Sequence, residues 1–328
     1  MGDASLMLMN AVFEGGGVRG ISLAGAVRAA EVNGGKFNRV AGTSSGSIVA
    51  SLLAAGYSAE EMREIIMRTS FSRLLKRSPI FNLAVLGPAL RVLLRKGLYS
   101  GEALEEWVRY ILQLKGVRTF GDLEPGKLTI IASDITNGKI LVLPDDLERI
   151  GIHSGSFEVA RAVRMSCSIP YFFDPVLLRL PAKRTKGRPF VNQFLHVVDG
   201  GLLSNFPLWL FDREEPQSPE QRIPTVGFQM VGKNTNKPHD IYGPFSMLQA
   251  IVESMLSAHD ERYIEQSNRY RTVKIPTLGI STTQFDIDDE ESLLLFESGF
   301  RAGDRFFKGW STKLYEEQFQ KYQQTYVP

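Results

Sequence analysis

The chain has 328 residues, of which 43% are hydrophobic and 23% are charged, and its formal net charge is +2. This composition is typical of a globular protein with a sizeable core, and it excludes the disordered and fibrous classes. The net charge is too small for a general attraction to nucleic acid, so we expect no nucleic-acid partner. Any attraction to an anionic membrane must come from local clusters of charge.

Cysteine content and the N-terminal residues bear on the cellular compartment. Cys167 is the single cysteine, which excludes an intrachain disulfide and disfavours a thiolate metal site. The N-terminal residues lack a basic stretch ahead of an apolar one, so they predict no signal peptide. No run of about 18 apolar residues predicts a membrane span. We therefore expect a cytoplasmic protein, and we expect any contact with a membrane to be peripheral.

Two consecutive strand-turn-helix units open the chain. Residues 6–13 form a run that is apolar except at Asn10 and predicts a buried strand, followed by glycines and an alanine-rich helix over 21–31. A strand over 37–41, a tight turn and a helix over 47–55 repeat the pattern. Consecutive units of this kind favour an α/β fold, a three-layer sandwich with a mostly parallel central sheet.

The remaining pattern alternates helices with strands. It predicts helices over 57–69, 100–113, 157–166, 245–269 and 290–308, and strands over 128–134, 139–143, 195–198, 225–230 and 272–275. Ser58 is expected to cap the first of these helices, because serine is a preferred N-cap residue. Glu60 and Glu61 lie in its first turn, where the helix dipole favours acidic side chains. The segment 212–222 is the most linker-like part of the chain.

The segment 65–101 contains no Asp or Glu, and its basic residues alternate with apolar ones. Such a segment is a candidate for peripheral membrane contact, in which apolar side chains enter the acyl boundary while Arg and Lys contact phosphates. The alternative is a helical lid or core segment with a solvated basic face, and the need to cover the sheet favours this alternative slightly. A second basic stretch over 179–188 could also touch headgroups, but we interpret it as a surface loop.

Residues 42–46 read GTSSG, which matches the nucleophile-elbow pattern G-x-S-x-G with Ser44 at its centre and Gly42 and Gly46 at its ends. Ser44 is predicted to lie between a strand and a helix, where a strained turn needs small neighbours and the helix dipole stabilises developing negative charge. A small-residue turn capped by serine is the alternative. Ser44 is therefore the candidate nucleophile.

Residues 14–20 read EGGGVRG and lie at another predicted strand-to-helix junction. Backbone N–H groups at such a junction can form an oxyanion hole. The candidate oxyanion-hole residues are Gly15, Gly16, Gly17, Val18, Arg19 and Gly20. The same glycines satisfy the dinucleotide pattern G-x-G-x-x-G, but a dinucleotide site needs an acidic residue about 20 positions on, and the elbow stands there instead. A nucleotide-binding oxidoreductase is therefore disfavoured.

The third motif is Asp199-Gly200-Gly201, which follows an apolar strand. Taken alone, this sequence is a common turn. It indicates a catalytic site only in combination with the other two motifs. In this order and context, the three motifs resemble the glycine-rich, elbow and aspartate-glycine motifs of the patatin-like phospholipase family. The segment 166–173 is similar to the one that precedes the aspartate strand in that family, and Asn205 and Pro207 match its Asn-x-Pro.

The resemblance covers about residues 9–212 and implies a patatin-like catalytic core, with 213–328 as a C-terminal extension that packs on the same α/β domain. It also implies a Ser-Asp dyad in which Ser44 attacks an ester and Asp199 takes its proton, with no metal or other cofactor. Asp199 is expected to be partly desolvated, so that its pKa rises toward the working range. The implied substrates are phospholipids or lysophospholipids, cleaved through an acyl-enzyme by phospholipase A or lysophospholipase activity.

Three alternatives remain open. A Ser-His-Asp esterase needs a histidine after the acid, which leaves His239 in a loop and His259 in a predicted helix, while His196 is expected to point away from the face of Asp199. A non-lipid carboxylesterase on the same scaffold is the second alternative. The third is a catalytically idle, membrane-associated effector, which the intact Ser44, Asp199 and motif glycines disfavour.

Overall fold

The computed structural model describes residues 7–75, 95–187, 189–212, 222–232, 241–243, 247, 250 and 268–326. Within these ranges the strands are β1 (Met7–Phe13), β2 (Gly35–Thr43), β3 (Gly97–Tyr99), β4 (Leu128–Asp134), β5 (Lys139–Leu143), β6 (Tyr171–Phe173), β7 (Val176–Arg179), β8 (Phe194–Asp199), β9 (Thr225–Val231) and β10 (Thr272–Pro276). The α-helices are α1 (Ile21–Val32), α2 (Ser45–Ala54), α3 (Ala59–Arg68), α4 (Glu102–Leu114), α5 (Asp145–Arg149), α6 (Val159–Cys167), α7 (Ala182–Thr185), α8 (Asp289–Lys308) and α9 (Thr312–Tyr326).

Eight of the strands in the described residues form one mixed sheet, in the order β10-β9-β1-β2-β4-β8-β7, with β5 also paired to β4. The pairs from β10 to β4 are parallel. The pairs that β4 makes with β5 and β8, and the pair of β7 with β8, are antiparallel. β3 and β6 pair separately. The predicted α/β fold, with a mostly parallel central sheet flanked by helices, is confirmed.

Both faces of the sheet are covered by apolar groups. Met9 and Phe13 of β1 point into the main core, which includes the buried faces of α1, α2 and α8. Val12 points to the other face, where it packs with Ala41 and with three apolar residues that follow the DGG motif, Phe206, Leu208 and Phe211. The alternation follows from the two-residue period of a strand, and β1 is apolar at every position except Asn10 because most of it is buried on both sides.

The residues after 212 complete the sheet, because β9 pairs with β1 and β10 pairs with β9. An ion pair fastens this part to the preceding segment. The fully buried Arg271 donates to both carboxylate oxygens of Asp212 over 2.6 and 2.7 Å, and to Asn268 Oδ1 over 2.8 Å. Two parallel N–H···O bonds of this kind are stronger and more directional than a single contact.

Local patterns predicted several of these elements well. β4 and β5 have the predicted bounds, and Ser58 caps α3 in a capping box with Glu61, because each residue's side chain accepts from the other's backbone N–H. α2 begins at Ser45 rather than at the predicted residue 47, since the turn at Ser44 leads directly into the helix. The predicted helix over 245–269 lies almost entirely outside the described residues.

Candidate active site

β2 and β8 approach each other along one edge of β4. β2 pairs with the first half of β4 and β8 with its second half, whereas β5 pairs along the other edge. Because β2 is parallel and β8 antiparallel to β4, their carboxyl ends face each other. Thr43 lies opposite Ile131, and Asp199 lies opposite Ala132. Ser44, the next residue after β2, is thereby brought to Asp199.

Ser44 and Asp199 are in direct contact. Ser44 Oγ donates a hydrogen bond of 2.7 Å to Asp199 Oδ2, and Gly201 N donates one of 2.8 Å to Asp199 Oδ1. Both side chains are buried. Burial raises the pKa of Asp199 to about 7, although the hydrogen bonds from Ser44 and Gly201 act in the opposite direction. A carboxyl group with this pKa can accept and release a proton near neutral pH.

The backbone at Ser44 is held in an unusual conformation. Its φ of 51° and ψ of −127° lie outside the regions that L-residues populate, a conformation that costs on the order of 1–3 kcal/mol. Ser44 N donates to Ser166 Oγ over 2.8 Å, and Ser166 Oγ donates to Ile131 O over 2.6 Å. Ser47 Oγ donates to Ser44 O over 2.6 Å. These bonds fix the turn from both sides and so hold the side chain of Ser44 toward Asp199.

Gly42 and Gly46 allow this turn to pack tightly. A methyl group on Gly42 would overlap the carbonyl oxygen of Gly46, and one on Gly46 would overlap the carbonyl oxygen of Phe13. The turn between β2 and α2 therefore lies directly on the end of β1, and only glycine permits that approach.

The predicted glycine loop borders Ser44. A Cβ added to Gly15 would lie 3.0 Å from Ser44 Cβ. Asn205 holds the loop by two hydrogen bonds of 3.2 Å. Its side-chain Nδ2 donates to the carbonyl oxygen of Gly15, and its backbone carbonyl oxygen accepts from the N–H of Gly15. The carboxylate of Glu14, also buried, accepts from the backbone N–H of Met230 in β9. The Asn-x-Pro pattern does not predict these hydrogen bonds to Gly15, which we call the Asn205 clamp, because they join residues that are 190 positions apart in the sequence.

The loop amides differ in their availability. Gly15 N donates to Asn205 O, Gly16 N to Ser45 Oγ over 3.1 Å, and Val18 N to Thr282 O over 3.2 Å. For Gly17 N, the part of the chain that the structure describes offers no acceptor. The loop continues through a 3-10 turn over Gly17–Gly20 into α1, so these amides lie at the positive end of a helix.

An apolar cavity of about 840 Å³, including its open mouth, has Ser44 in its wall. The rest of the wall is almost entirely apolar, and α1, α2, α3 and α4 contribute most of it. The principal side chains are Ile21, Ile48, Leu52, Met62, Ile65, Ile66, Phe71, Leu74, Leu104, Trp107, Ile169, Phe173 and Phe285. An alkyl chain placed here would be removed from water beside the Ser44 hydroxyl.

A family sequence model described as Patatin-like phospholipase matches residues 11–212. The chain belongs to the patatin-like phospholipase family. It is 40% identical over 306 residues to the uncharacterized protein YqhO of Bacillus subtilis, a match that covers 93% of this chain and 100% of that protein. It is also similar to the probable lipid hydrolase 463L of Invertebrate iridescent virus 6, with 27% identity over 203 residues, 60% of this chain and 61% of that one. The family and the viral relative support a lipid acyl hydrolase.

Solved structures also resemble this patatin-like chain. VipD from Legionella pneumophila has 15% identity and a TM-score of 0.47, and the match covers 92% of this chain and 66% of VipD. A chain from the ExoU-SpcU complex of Pseudomonas aeruginosa has 18% identity and a TM-score of 0.47, with coverage of 97% and 58%. The patatin-like chain therefore spans somewhat less than two thirds of the length of these solved chains.

The histidines of this patatin-like chain bear on the alternative of a Ser-His-Asp esterase. His239 and His259 lie outside the described residues. The described His153 and His196 make no hydrogen bond to Ser44 or Asp199, whose side chains bond to each other. Burial, with a smaller contribution from the charge of Lys96, lowers the pKa of His196. Within the described ranges, no group of three or more His, Cys, Asp or Glu side chains is arranged to bind a metal ion.

The acid-free segment 65–101 contributes to the cavity of this patatin-like chain. Ile65, Ile66, Phe71 and Leu74 line the cavity, so the apolar side chains at the start of the segment face the site. Residues 76–94 lie outside the described residues, and membrane contact through them stays a prediction. Among the described helices, none combines the length and the hydropathy needed to cross a bilayer.

Proposed function

We propose that Ser44 and Asp199 are the catalytic dyad of a serine acyl hydrolase. The hydrogen bond of 2.7 Å between Ser44 Oγ and Asp199 Oδ2 carries this proposal. Asp199 takes the hydroxyl proton as Oγ attacks the ester carbonyl, and it returns the proton to the leaving alcohol as the tetrahedral intermediate collapses. In the second half-reaction Asp199 accepts a proton from the water that attacks the acyl-enzyme, and it returns this proton to Ser44 Oγ as the fatty acid is released.

We assign the oxyanion hole to the glycine loop at residues 15–20. The amide of Gly17 is the best-placed donor, because it has no acceptor within the described residues and lies at the start of the turn that leads into α1. The amide of Gly16 can join it when the Ser45 hydroxyl, its present acceptor, rotates away. The clamp by Asn205 supports this assignment, since it fixes the loop against Ser44 before any charge develops.

The proposed substrates are fatty-acyl esters of phospholipids or lysophospholipids. The cavity beside Ser44 supports this choice, because its apolar wall accepts an acyl chain and offers few groups to a polar one. Catalysis by these groups uses no metal or other cofactor. The proposed setting is a reducing cytoplasm, in which the single cysteine, Cys167, stays a buried thiol.

The test is fatty-acid release from vesicles of phosphatidylcholine and of lysophosphatidylcholine, measured by mass spectrometry in the presence of a chelator. Wild type is compared with Ser44→Ala and Asp199→Asn. The matched control is Ser51→Ala, which removes another buried hydroxyl from α2. We expect release by wild type and the control, and a loss of several orders of magnitude in both dyad variants.

Two results would overturn parts of the proposal. If wild type cleaves only a short water-soluble ester through Ser44, the protein is a non-lipid carboxylesterase. If Asp199→Asn keeps its turnover while a substitution of His239 or His259 abolishes it, the base is a histidine and the dyad is wrong.

A further inference from the structure

Residues 177–191 present exposed apolar side chains among basic ones. Phe190 is 67% exposed, Val191 72% and Leu177 49%. The ring of Phe190 packs edge-on against Phe194 at 5.1 Å between centroids, and Phe194 pairs with Arg179 across β7 and β8. These contacts join Phe190 and Phe194 to Arg179, and Leu177 lies on the same exposed face of β7 as Arg179. We call the exposed apolar and basic side chains of this segment the basic-aromatic surface, formed by Leu177, Arg179, Lys183, Lys186, Phe190 and Val191.

The positive charge of the basic-aromatic surface is not neutralised locally. No Asp or Glu occurs from residue 175 to residue 198. Arg179, Lys183 and Lys186 are exposed, and within the described residues they form no salt bridge. Single exposed apolar residues are common on protein surfaces, but three of them beside unpaired cations are a patch that fits a partner with both negative charge and an apolar interior.

Strand register places this surface beyond the same end of the sheet as the candidate active site, although the side chains of Phe194 and Asp199, five positions apart on β8, point to opposite faces. Asp199 ends β8 and Phe194 begins it, so the two are separated by roughly 17 Å along the strand. Val197 already lies opposite Asp134, the last residue of β4, so Phe194 projects beyond the carboxyl edge at which Ser44 also lies. Phe173, a wall residue of the cavity, precedes β7 by only three residues.

We propose that the basic-aromatic surface docks the protein on an anionic phospholipid bilayer. This inference rests on the proposed function, because it supplies the route by which a lipid ester reaches Ser44. Phe190, Val191 and Leu177 enter the boundary between headgroups and acyl chains, while the neighbouring Lys and Arg side chains contact phosphates. The bases of a nucleic acid stack on aromatic rings, and aliphatic side chains such as Val191 and Leu177 offer no such ring. A bilayer therefore fits the basic-aromatic surface better than a nucleic acid does.

The test is flotation with vesicles of phosphatidylcholine alone and of phosphatidylcholine containing phosphatidylglycerol. Wild type should float with the anionic vesicles, and less so as salt rises. Lys183→Gln with Lys186→Gln should weaken partitioning on the order of tenfold, and Phe190→Ala with Val191→Ala should also weaken it. The control is Arg301→Gln with Lys313→Gln, which removes the same charge from exposed positions on α8 and α9. The control should float like wild type.

A second measurement separates this proposal from the proposed function. Hydrolysis of a short water-soluble ester should be equal in wild type and in all of these variants, whereas release from anionic vesicles should fall in the surface variants alone. If wild type cleaves the short ester through Ser44 but does not float, or if the surface variants float like wild type, the docking surface is wrong and the dyad stands. Retention of a nucleic acid, or salt-dependent self-association through Phe190, without flotation would likewise overturn it.

Discussion

Ser166 Oγ accepts the backbone N–H of Ser44 over 2.8 Å, although the two residues are 122 positions apart in the chain. Ser166 lies on α6 and is fully buried, and its own proton goes to the carbonyl oxygen of Ile131 on β4. One hydroxyl therefore connects the strained turn at the candidate nucleophile to the strand on which both halves of the dyad converge. The conformation of Ser44 depends on a group outside all three sequence motifs.

The variant Ser166→Ala should lose activity without losing the fold. It leaves the buried N–H of Ser44 without its acceptor, at a cost of about 1–3 kcal/mol. If the turn relaxes to relieve this cost, Ser44 Oγ moves away from its reactive position. In that case kcat should fall by about tenfold or more with little change in KM. Steady-state kinetics with a short ester measure both. Ser166→Cys, which keeps a weak acceptor, should recover part of kcat, whereas unchanged kcat in Ser166→Ala would contradict a positioning role.

The reaction should depend on an ionisation near neutral pH. Asp199 must be charged to accept a proton, and its pKa is raised to about 7 by burial. We expect kcat/KM for a short ester to fall as the pH drops below about 7 and to level off above it. A profile that stays flat from neutral pH down to the usual range of a carboxyl group would show that Asp199 is not the base.

Asp199→Asn should stabilise the protein above neutral pH while abolishing turnover. Because the folded-state pKa of about 7 exceeds the ordinary 3.8, the folded protein binds this proton more tightly, and its stability falls as pH rises from about 4 to about 7. The loss of stability caused by ionising Asp199 is absent below this pH range and complete above it, where it amounts to up to about 4 kcal/mol. Asn carries no charge, so the variant avoids the penalty. Urea unfolding at several pH values should show a difference that grows with pH.

Leu52→Trp should shorten the acyl chains that the cavity accepts. Leu52 lines the cavity and lies eight residues beyond Ser44 along α2, or about 12 Å at 1.5 Å per residue. A larger ring there should lower kcat/KM for long-chain esters at least tenfold and leave short-chain esters little changed. Leu53→Trp, at a neighbouring position outside the cavity wall, is the control. Equal chain-length profiles for the two variants would mean that acyl chains bind elsewhere.

Arg271→Met should destabilise the fold while preserving the site. It leaves the carboxylate of Asp212 without its cation in a buried environment, which typically costs about 3–5 kcal/mol. Arg271→Lys should not recover this loss, since an ammonium cannot reproduce two parallel bonds. Arg269→Met, at an exposed neighbour, is the control. Thermal unfolding measures the difference, and a melting temperature like that of wild type would show that the pair adds no net stability.

Prediction from sequence succeeded where the determinants are local. The helix cap at Ser58 depends on residues a few positions apart, and the bounds of β4 and β5 follow from the periodicity of each strand. The supports of the candidate site are long-range. Nothing near Ser166 or Asn205 indicates which amide or carbonyl each will meet, because those partners are set by strand register. The antiparallel course of β8, which turns Asp199 toward Ser44, is a property of the assembled sheet.

β1 is near the centre of the sheet, yet one of its two neighbouring strands is synthesised much later than the other. β2 follows it directly, but β9 on its other side begins only at Thr225. During synthesis, this edge of β1 therefore stays without a partner until more than two hundred further residues have emerged. An open, apolar strand edge pairs readily with another chain. A chain stopped at residue 212, where the family match ends, would retain Ser44 and Asp199 but keep that edge exposed, and should aggregate.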